Sequence, residues 1–284
     1  MLGKLMKYDM KYMARVLPWL YLGAFGMSLI FTLLGILSAR SGMESLLVTV
    51  LLGIIPVMLM LAALSVCSTV FMMVRIYKNM FSDEGYLTFT LPVRSREIVW
   101  SKLLVGAIWN LIGSIVTVAV VAMPITAVFV TLARTYPEFA SEISGYTEIF
   151  GSLIDAYSDV PGFVSGMISI LLHGFVSLFS TNALFMLSCC LAQLLNKNRG
   201  IASVGIYLGL NFLLSSITSF SSRITVTMPA DIPSEVYIPE LGPFYAVTER
   251  FSATSYASVI ITAIVTGLAI FFSCRIVKKN LNMV

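Results

Sequence analysis

Six long stretches of this chain contain no aspartate, glutamate, lysine or arginine, and each is at least 23 residues long. A bilayer core about 30 Å thick is crossed by about 20 apolar helical residues, and a helix satisfies its own backbone groups in lipid. The stretches therefore predict an all-α, polytopic membrane protein with six transmembrane helices in a single domain, 1–284. The predicted spans lie within 16–39, 45–74, 103–133, 160–196, 200–222 and 251–274.

The composition excludes the main alternatives to a membrane protein. Hydrophobic residues make up 58% of the chain and charged residues only 11%, whereas about a quarter of a soluble domain is charged. The same apolar content excludes a disordered chain. The first stretch is longer than the apolar region of about 7–15 residues in a cleaved signal peptide, so we interpret it as a signal anchor.

The basic residues predict the orientation of the six spans. With a cytoplasmic N-terminus, 14 of the 18 lysines and arginines lie inside, and the positive-inside rule favours this arrangement. The C-terminus is then cytoplasmic as well. A helical hairpin within 160–196 would move Arg275, Lys278 and Lys279 outside, so we predict one span there. The four basic residues left outside are Arg40, Arg134, Arg223 and Arg250.

Residues 1–16 have the pattern of an amphipathic helix at the membrane interface. At 100° per residue, four cations share one stripe and the apolar residues lie opposite. Asp9 interrupts the apolar face; we interpret it as frayed or bonded to a neighbouring loop, or alternatively as paired with a cation of the 75–102 loop. The cations are Lys4, Lys7, Lys11 and Arg15.

Two outer segments, 134–159 and 223–250, are longer than plain connections. The first alternates aromatic and acidic residues at helical spacing, which predicts an amphipathic lid or, alternatively, an outer gate. In the second, residues 223–228 alternate like a short strand. Pro243 is suited to the first turn of a helix, so we expect a short surface or re-entrant helix before the last span.

Polar side chains inside the predicted spans are few. His173 is the only histidine, and we interpret it as a packing contact between helices, the alternative being an intramembrane enzyme that depends on it. We expect the amides to bond between helices, or alternatively to line a path, and the cysteines to pack as small apolar residues. These residues are Asn110, Asn182, Gln193 and Asn211, and Cys67, Cys189, Cys190 and Cys274.

The long inner loop, 75–102, combines charges with exposed apolar residues. Gly85 permits a turn, Pro92 stops a helix, and Ser95 is a suitable cap for the next helix. A short amphipathic element of this kind indicates a protein contact, or alternatively burial in headgroups. Its apolar residues are Met80, Phe81, Tyr86, Leu87, Phe89 and Leu91.

The sequence DEGYLTFTLPV at 83–93, followed by SKLL at 101–104, resembles the ABC type-2 exporter permeases of Gram-positive bacteria. The ending KKNLN at 278–282 is similar to theirs, and the layout of surface helix, six spans and inner loop extends the resemblance over the whole chain. The segment 134–159 departs from the compact members of that family.

The resemblance implies a permease subunit in the plasma membrane of a Gram-positive bacterium, not itself an enzyme. It implies a second permease chain, alike or different, separate ABC ATPase subunits that bind the ATP, contact with membrane lipid, no cofactor in this chain and no nucleic acid. Consistently, the chain has no G-x-x-x-x-G-K-[ST] motif. The implied coupling site on the ATPase comprises Phe81, Asp83, Glu84, Gly85, Tyr86, Leu87, Phe89, Leu91 and Pro92.

A path lined by apolar and hydroxyl groups would suit the transport of a hydrophobic or amphipathic substrate. Ion-coupled transporters usually carry ionisable groups within the membrane, and the predicted spans have no acid, lysine or arginine. The alternative function is a membrane sensor or assembly partner that transports nothing.

Overall fold

A computed structural model of the protein describes residues 2–41, 43–81, 95–135, 163–195, 199–227 and 242–278, and these residues form seven helices. Six of the seven, α2 to α7, are long and apolar enough to cross a membrane, which confirms the predicted all-α fold with six candidate spans. The helices are α1 (Leu2–Met13), α2 (Leu17–Ser41), α3 (Met43–Phe81), α4 (Ser95–Thr135), α5 (Phe163–Ala192), α6 (Arg199–Thr227) and α7 (Gly242–Ile276).

The fourth charge-free stretch forms one helix, α5, as the charge distribution predicts, and not a hairpin. The helices α3 and α4 are longer than their charge-free stretches, with 39 and 41 residues. At 1.5 Å per residue they are each about 60 Å long, about twice the thickness of the hydrocarbon core. Both helices therefore continue well beyond what a single crossing needs.

The predicted strand at 223–228 is wrong, because α6 remains helical through Thr227. The alternation of Ile224 and Val226 with threonines favours a strand only if another strand is available for pairing. At the end of a membrane helix, the next carbonyl of the same helix is the nearest acceptor, and local propensity gives way.

Pro243 lies in the first turn of α7, as predicted, but the helix then runs without a break to Ile276. The expected separate short helix before the last span is therefore wrong. Proline at this place costs no helical hydrogen bond because the first amide groups of a helix have no partner. Residues 228–241 and 136–162, the latter with most of the predicted lid, lie outside the described residues.

The chain groups into two compact units, and α1, α3 and α4 contribute to both. One unit comprises Lys7–Val74 and Ile108–Leu153. Within it, α2 packs on α4: the rings of Tyr21 and Trp109 are 6.4 Å apart, and the Tyr21 hydroxyl donates to the Trp109 carbonyl at 3.4 Å. On α1 the ring of Tyr12 stacks on Phe71 of α3, with centroids 6.0 Å apart.

The other unit comprises Met1–Met6, Arg75–Ala107 and Ile154–Val284. Its centre is α5, which packs against both α6 and α7, while α6 and α7 also contact each other. The buried side chains of α5 include a cluster near its C-terminal end: Ala183, Leu184, Phe185, Met186, Cys189, Cys190 and Ala192.

Buried hydroxyl groups follow α5 and α7. Several bond to a carbonyl of their own helix: the Ser169 hydroxyl donates to the Gly166 carbonyl at 2.7 Å, and the Thr266 hydroxyl donates to the Thr262 carbonyl at 2.6 Å. Hydroxyl groups satisfied in this way behave as small packing residues, which allow helices to approach closely in a membrane. The buried members are Ser169, Ser180, Ser188, Thr262, Thr266 and Ser273.

Candidate functional site

The candidate site is the base of the loop that joins α3 to α4. Of the predicted coupling residues, the structure describes Phe81, the last residue of α3, whose ring lies 6.2 Å from that of Tyr77. The remaining predicted residues lie outside the described part of the chain: Asp83, Glu84, Gly85, Tyr86, Leu87, Phe89, Leu91 and Pro92.

The predicted inner loop, 75–102, is shorter in the structure. Residues 75–81 belong to α3 and residues 95–102 to α4, so the part outside regular helix is limited to 82–94 at most. Charges such as Arg75 and Lys102 mark the end of an apolar stretch, but they do not end a helix, because lysine and arginine are good helix formers. Ser95 is the first residue of α4, and its capping role stays a prediction.

Both helical stems of this loop are anchored by buried apolar side chains. On α3 these are Ile76 and Met80, and on α4 they are Ile98 and Val99, each at most 2% exposed. Ile76 and Met80 are four residues apart and share one face of α3, and on α4 the buried Val99 and Leu103 have the same spacing. The loop is therefore carried by two helix ends that are packed into one compact unit.

The two stems also contact the neighbouring helices of the same unit. A Cβ atom at Gly200, at the start of α6, would lie 3.9 Å from the Tyr77 hydroxyl. Sequence reasoning missed this relationship, because the two residues belong to no motif.

The α4 stem also approaches α5. A Cβ atom at Gly106 would lie 2.5 Å from Cγ of Asn182, so the carboxamide of Asn182 occupies the space that a side chain at Gly106 would need. Asn182 is buried, and its amide donates to the Leu178 carbonyl at 3.2 Å. This contact connects the second stem to the most buried helix of the unit.

The SKLL motif at 101–104 lies in the interior. The side chains of Ser101 and Lys102 are buried, and the Ser101 hydroxyl donates to the Ile98 carbonyl at 2.7 Å. Leu103 is buried as well. The motif therefore serves the packing of α4 and does not present an exposed surface.

The hydrogen-bond partners of the polar residues in the spans agree only partly with the predictions. His173 contacts another helix as predicted, with Nδ1 3.4 Å from the Ser258 hydroxyl oxygen on α7. Asn182 and Asn211 were expected to bond between helices, but their amides donate to carbonyls of their own helices, because the carbonyl four residues earlier is the nearest acceptor. The Gln193 side chain accepts from Arg199 at 3.3 Å.

The cysteines also divide into two kinds. Cys189 and Cys190 are buried, as predicted for packing residues, whereas Cys67 is exposed and the prediction is wrong for it. Cys67 lies on the apolar outer side of α3, where a thiol is tolerated without packing. Among the described residues, no group of three histidine, cysteine or acidic side chains is placed to hold a metal ion.

Comparisons with protein-family models, with curated proteins and with solved structures gave no match to this chain.

Proposed function

We propose that this protein is the membrane-spanning permease subunit of an ATP-driven exporter of the ABC type-2 kind. The loop that contains 83–93 is the docking element for a separate ATPase chain, and the exported substrate is hydrophobic or amphipathic. In this proposal the ATP is bound and hydrolysed by the ATPase, the loop faces the cytoplasm, and a second permease chain completes the transporter in a bacterial plasma membrane.

One observation carries the proposal: the motif-bearing loop is held between two helices that are both longer than a crossing requires and both buried at the loop end. A loop held by mobile ends would absorb a push locally. A loop held by packed helix ends passes the displacement on, because close-packed cores switch between discrete arrangements and do not deform continuously. This is the mechanical property that a coupling element needs.

Two contacts of the stems support a route for such a displacement. The α3 stem approaches α6 at Tyr77 and Gly200, and the α4 stem approaches α5 at Gly106 and Asn182. Movement of the loop would therefore tilt several spans together. In this way, rigid-body closure of an ATPase pair would alter access to a path through the membrane.

The test is recovery of the ATPase. Affinity purification of the wild-type chain in mild detergent is expected to recover a P-loop protein, and the replacements Gly85→Pro or Tyr86→Asp with Leu87→Asp are expected to abolish the recovery. Tyr8→Asp is the control, since it places an acid at an exposed aromatic position on α1, outside the docking motif. Equal recovery from all variants would overturn the docking assignment.

A transport assay distinguishes an exporter from the alternative function, a membrane sensor or assembly partner that transports nothing. Vesicles that contain the chain and its ATPase are expected to move an amphipathic fluorescent substrate only when ATP is present. An ATPase that binds through the loop but supports no ATP-dependent movement of any tested substrate would favour a sensor or an assembly partner.

A further inference from the structure

The N-terminal helix α1 presents a stripe of cations to the outside of the protein. Lys4, Lys7 and Lys11 are exposed along the helix, and Arg15 is exposed in the turn that follows it. The three lysines are three and four residues apart, so they lie on one face within about 11 Å of helix length, and Arg15 follows in the turn. Tyr8, beside the stripe, is 73% exposed.

The opposite side of α1 is held by the protein. Asp9 and Met13 are buried, with Asp9 only 2% exposed, and Asp9 takes part in a polar interaction. Its predicted fraying is therefore wrong. The stack of Tyr12 on Phe71, with ring planes 11° apart, attaches the same helix to α3. The protein thus determines which way α1 faces, and the cationic stripe is the side left outward.

The position of α1 places this stripe at the membrane surface. Residues 14–16 form a turn that leads directly into α2, the first candidate span. Trp19, in the first turns of α2, is 74% exposed, and exposed tryptophan is typical of the interface between headgroups and hydrocarbon. Arg15, the last cation of the stripe, is only four residues before Trp19 in the sequence. The stripe is therefore expected to lie at the level of the lipid headgroups.

We propose that the stripe formed by Lys4, Lys7, Lys11 and Arg15 is a binding site for anionic phospholipid headgroups. Clusters of four or more lysines and arginines on an amphipathic helix beside a span attract anionic lipid, and each cation strengthens the attraction by about fivefold in affinity. Lysine and arginine supply N–H donors that the oxygens of a phosphate accept.

The site adds specific headgroup binding to the role of α1 as a surface anchor. A helix that only anchored the chain would place its apolar face in the bilayer, whereas here part of that face, including Met13, is buried. Headgroup binding on the outward face would hold α1 in place, and the Tyr12–Phe71 stack connects it to α3. The inference does not depend on the identity of any ATPase.

Lipid retention by the full chain tests the site. The protein is reconstituted in nanodiscs with equal amounts of phosphatidylglycerol and phosphatidylcholine, released in mild detergent, and its bound lipids are counted by native mass spectrometry. The wild-type chain is expected to retain phosphatidylglycerol preferentially. Lys7→Gln with Lys11→Gln is expected to lower this preference by about 25-fold, and 1 M salt is expected to lower it similarly.

A matched control removes the same number of charges elsewhere. Arg40→Gln with Arg134→Gln neutralises two exposed cations at the far ends of α2 and α4 and is expected to leave the preference unchanged. Lys7→Arg with Lys11→Arg is expected to retain it, which separates loss of charge from loss of fold. An unchanged preference in the Lys7/Lys11 glutamine variant, or an equal loss in the Arg40/Arg134 variant, would overturn the proposal.

Discussion

The hydroxyl of Ser28 donates a hydrogen bond of 2.7 Å to the carbonyl of Val120, the carbonyl that Pro124 leaves without its helical donor. In a regular helix the amide of residue 124 would bond to the carbonyl of residue 120, but proline has no N–H. Ser28 lies on α2 and Val120 on α4, and both are buried. One helix therefore supplies the hydrogen bond that the other lost.

This relationship predicts a non-additive pair of substitutions. Ser28→Ala is expected to lower the free energy of unfolding by about 1–3 kcal/mol, because it leaves a buried carbonyl unsatisfied. In a Pro124→Ala background the regained amide satisfies that carbonyl, so Ser28→Ala should cost much less. Denaturant unfolding in detergent measures the double-mutant cycle. Ser114→Ala, which removes an exposed hydroxyl bonded within α4, is the control. Additive effects of Ser28→Ala and Pro124→Ala on the free energy of unfolding would contradict the assignment.

Gly106 predicts a steric conflict at the α4–α5 contact. Gly106→Ala is expected to destabilise the protein by about 1–3 kcal/mol, because the new methyl group would lie 2.5 Å from Cγ of Asn182. Asn182→Ala should relieve the conflict in the double variant. Gly23→Ala on α2, where nothing lies within 4 Å, is expected to be neutral. Thermal unfolding followed by size-exclusion chromatography provides the measurement, and equal effects of Gly106→Ala and Gly23→Ala would argue against the contact.

The Tyr12–Phe71 stack predicts how firmly α1 is attached. Tyr12→Leu is expected to lose about 0.5–1.5 kcal/mol of aromatic interaction, so the amides of α1 should exchange with solvent up to about tenfold faster. Tyr12→Phe should behave as the wild type. Tyr8→Leu, on the same helix but exposed, is the control, and hydrogen exchange read by mass spectrometry distinguishes the three. Similar exchange in the Tyr12→Leu and Tyr8→Leu variants would refute the stack.

Thr266 predicts a tolerated substitution, in contrast to Ser28. Its hydroxyl donates to the Thr262 carbonyl, which already accepts the helical amide of residue 266, so Thr266→Val leaves no group unsatisfied. A change in unfolding free energy within about 0.5 kcal/mol is expected. Thr266→Leu adds volume at a buried position and should cost about 1–3 kcal/mol. A large loss in the valine variant would mean that the hydroxyl serves the α5–α7 packing directly.

The number and type of the spans follow from the charge-free stretches alone. A stretch of 23 or more residues without charge can satisfy its backbone in lipid only as a helix, so the runs at 16–39 or 251–274 needed no information about neighbours. Sequence reasoning also predicted α5 as a single helix, from the distribution of basic residues, and Pro243 in a first helical turn, from its missing amide. It failed at 223–228, where local alternation suggested a strand, and at 75–102, where charges were taken as the limits of helices that continue past them.

Which side chains meet depends on how the helices pack, and the folded structure was needed to see it. The spans are apolar on all faces, so their sequences contain little periodicity to show which face packs and which faces lipid. Nothing in the sequence relates Ser28 to Val120 or Gly106 to Asn182, residues that lie far apart along the chain and meet only because helices pack side by side. The burial of Asp9, on an otherwise apolar face of α1, could not be predicted for the same reason. Its side chain is covered by other parts of the folded protein and not by its own helix.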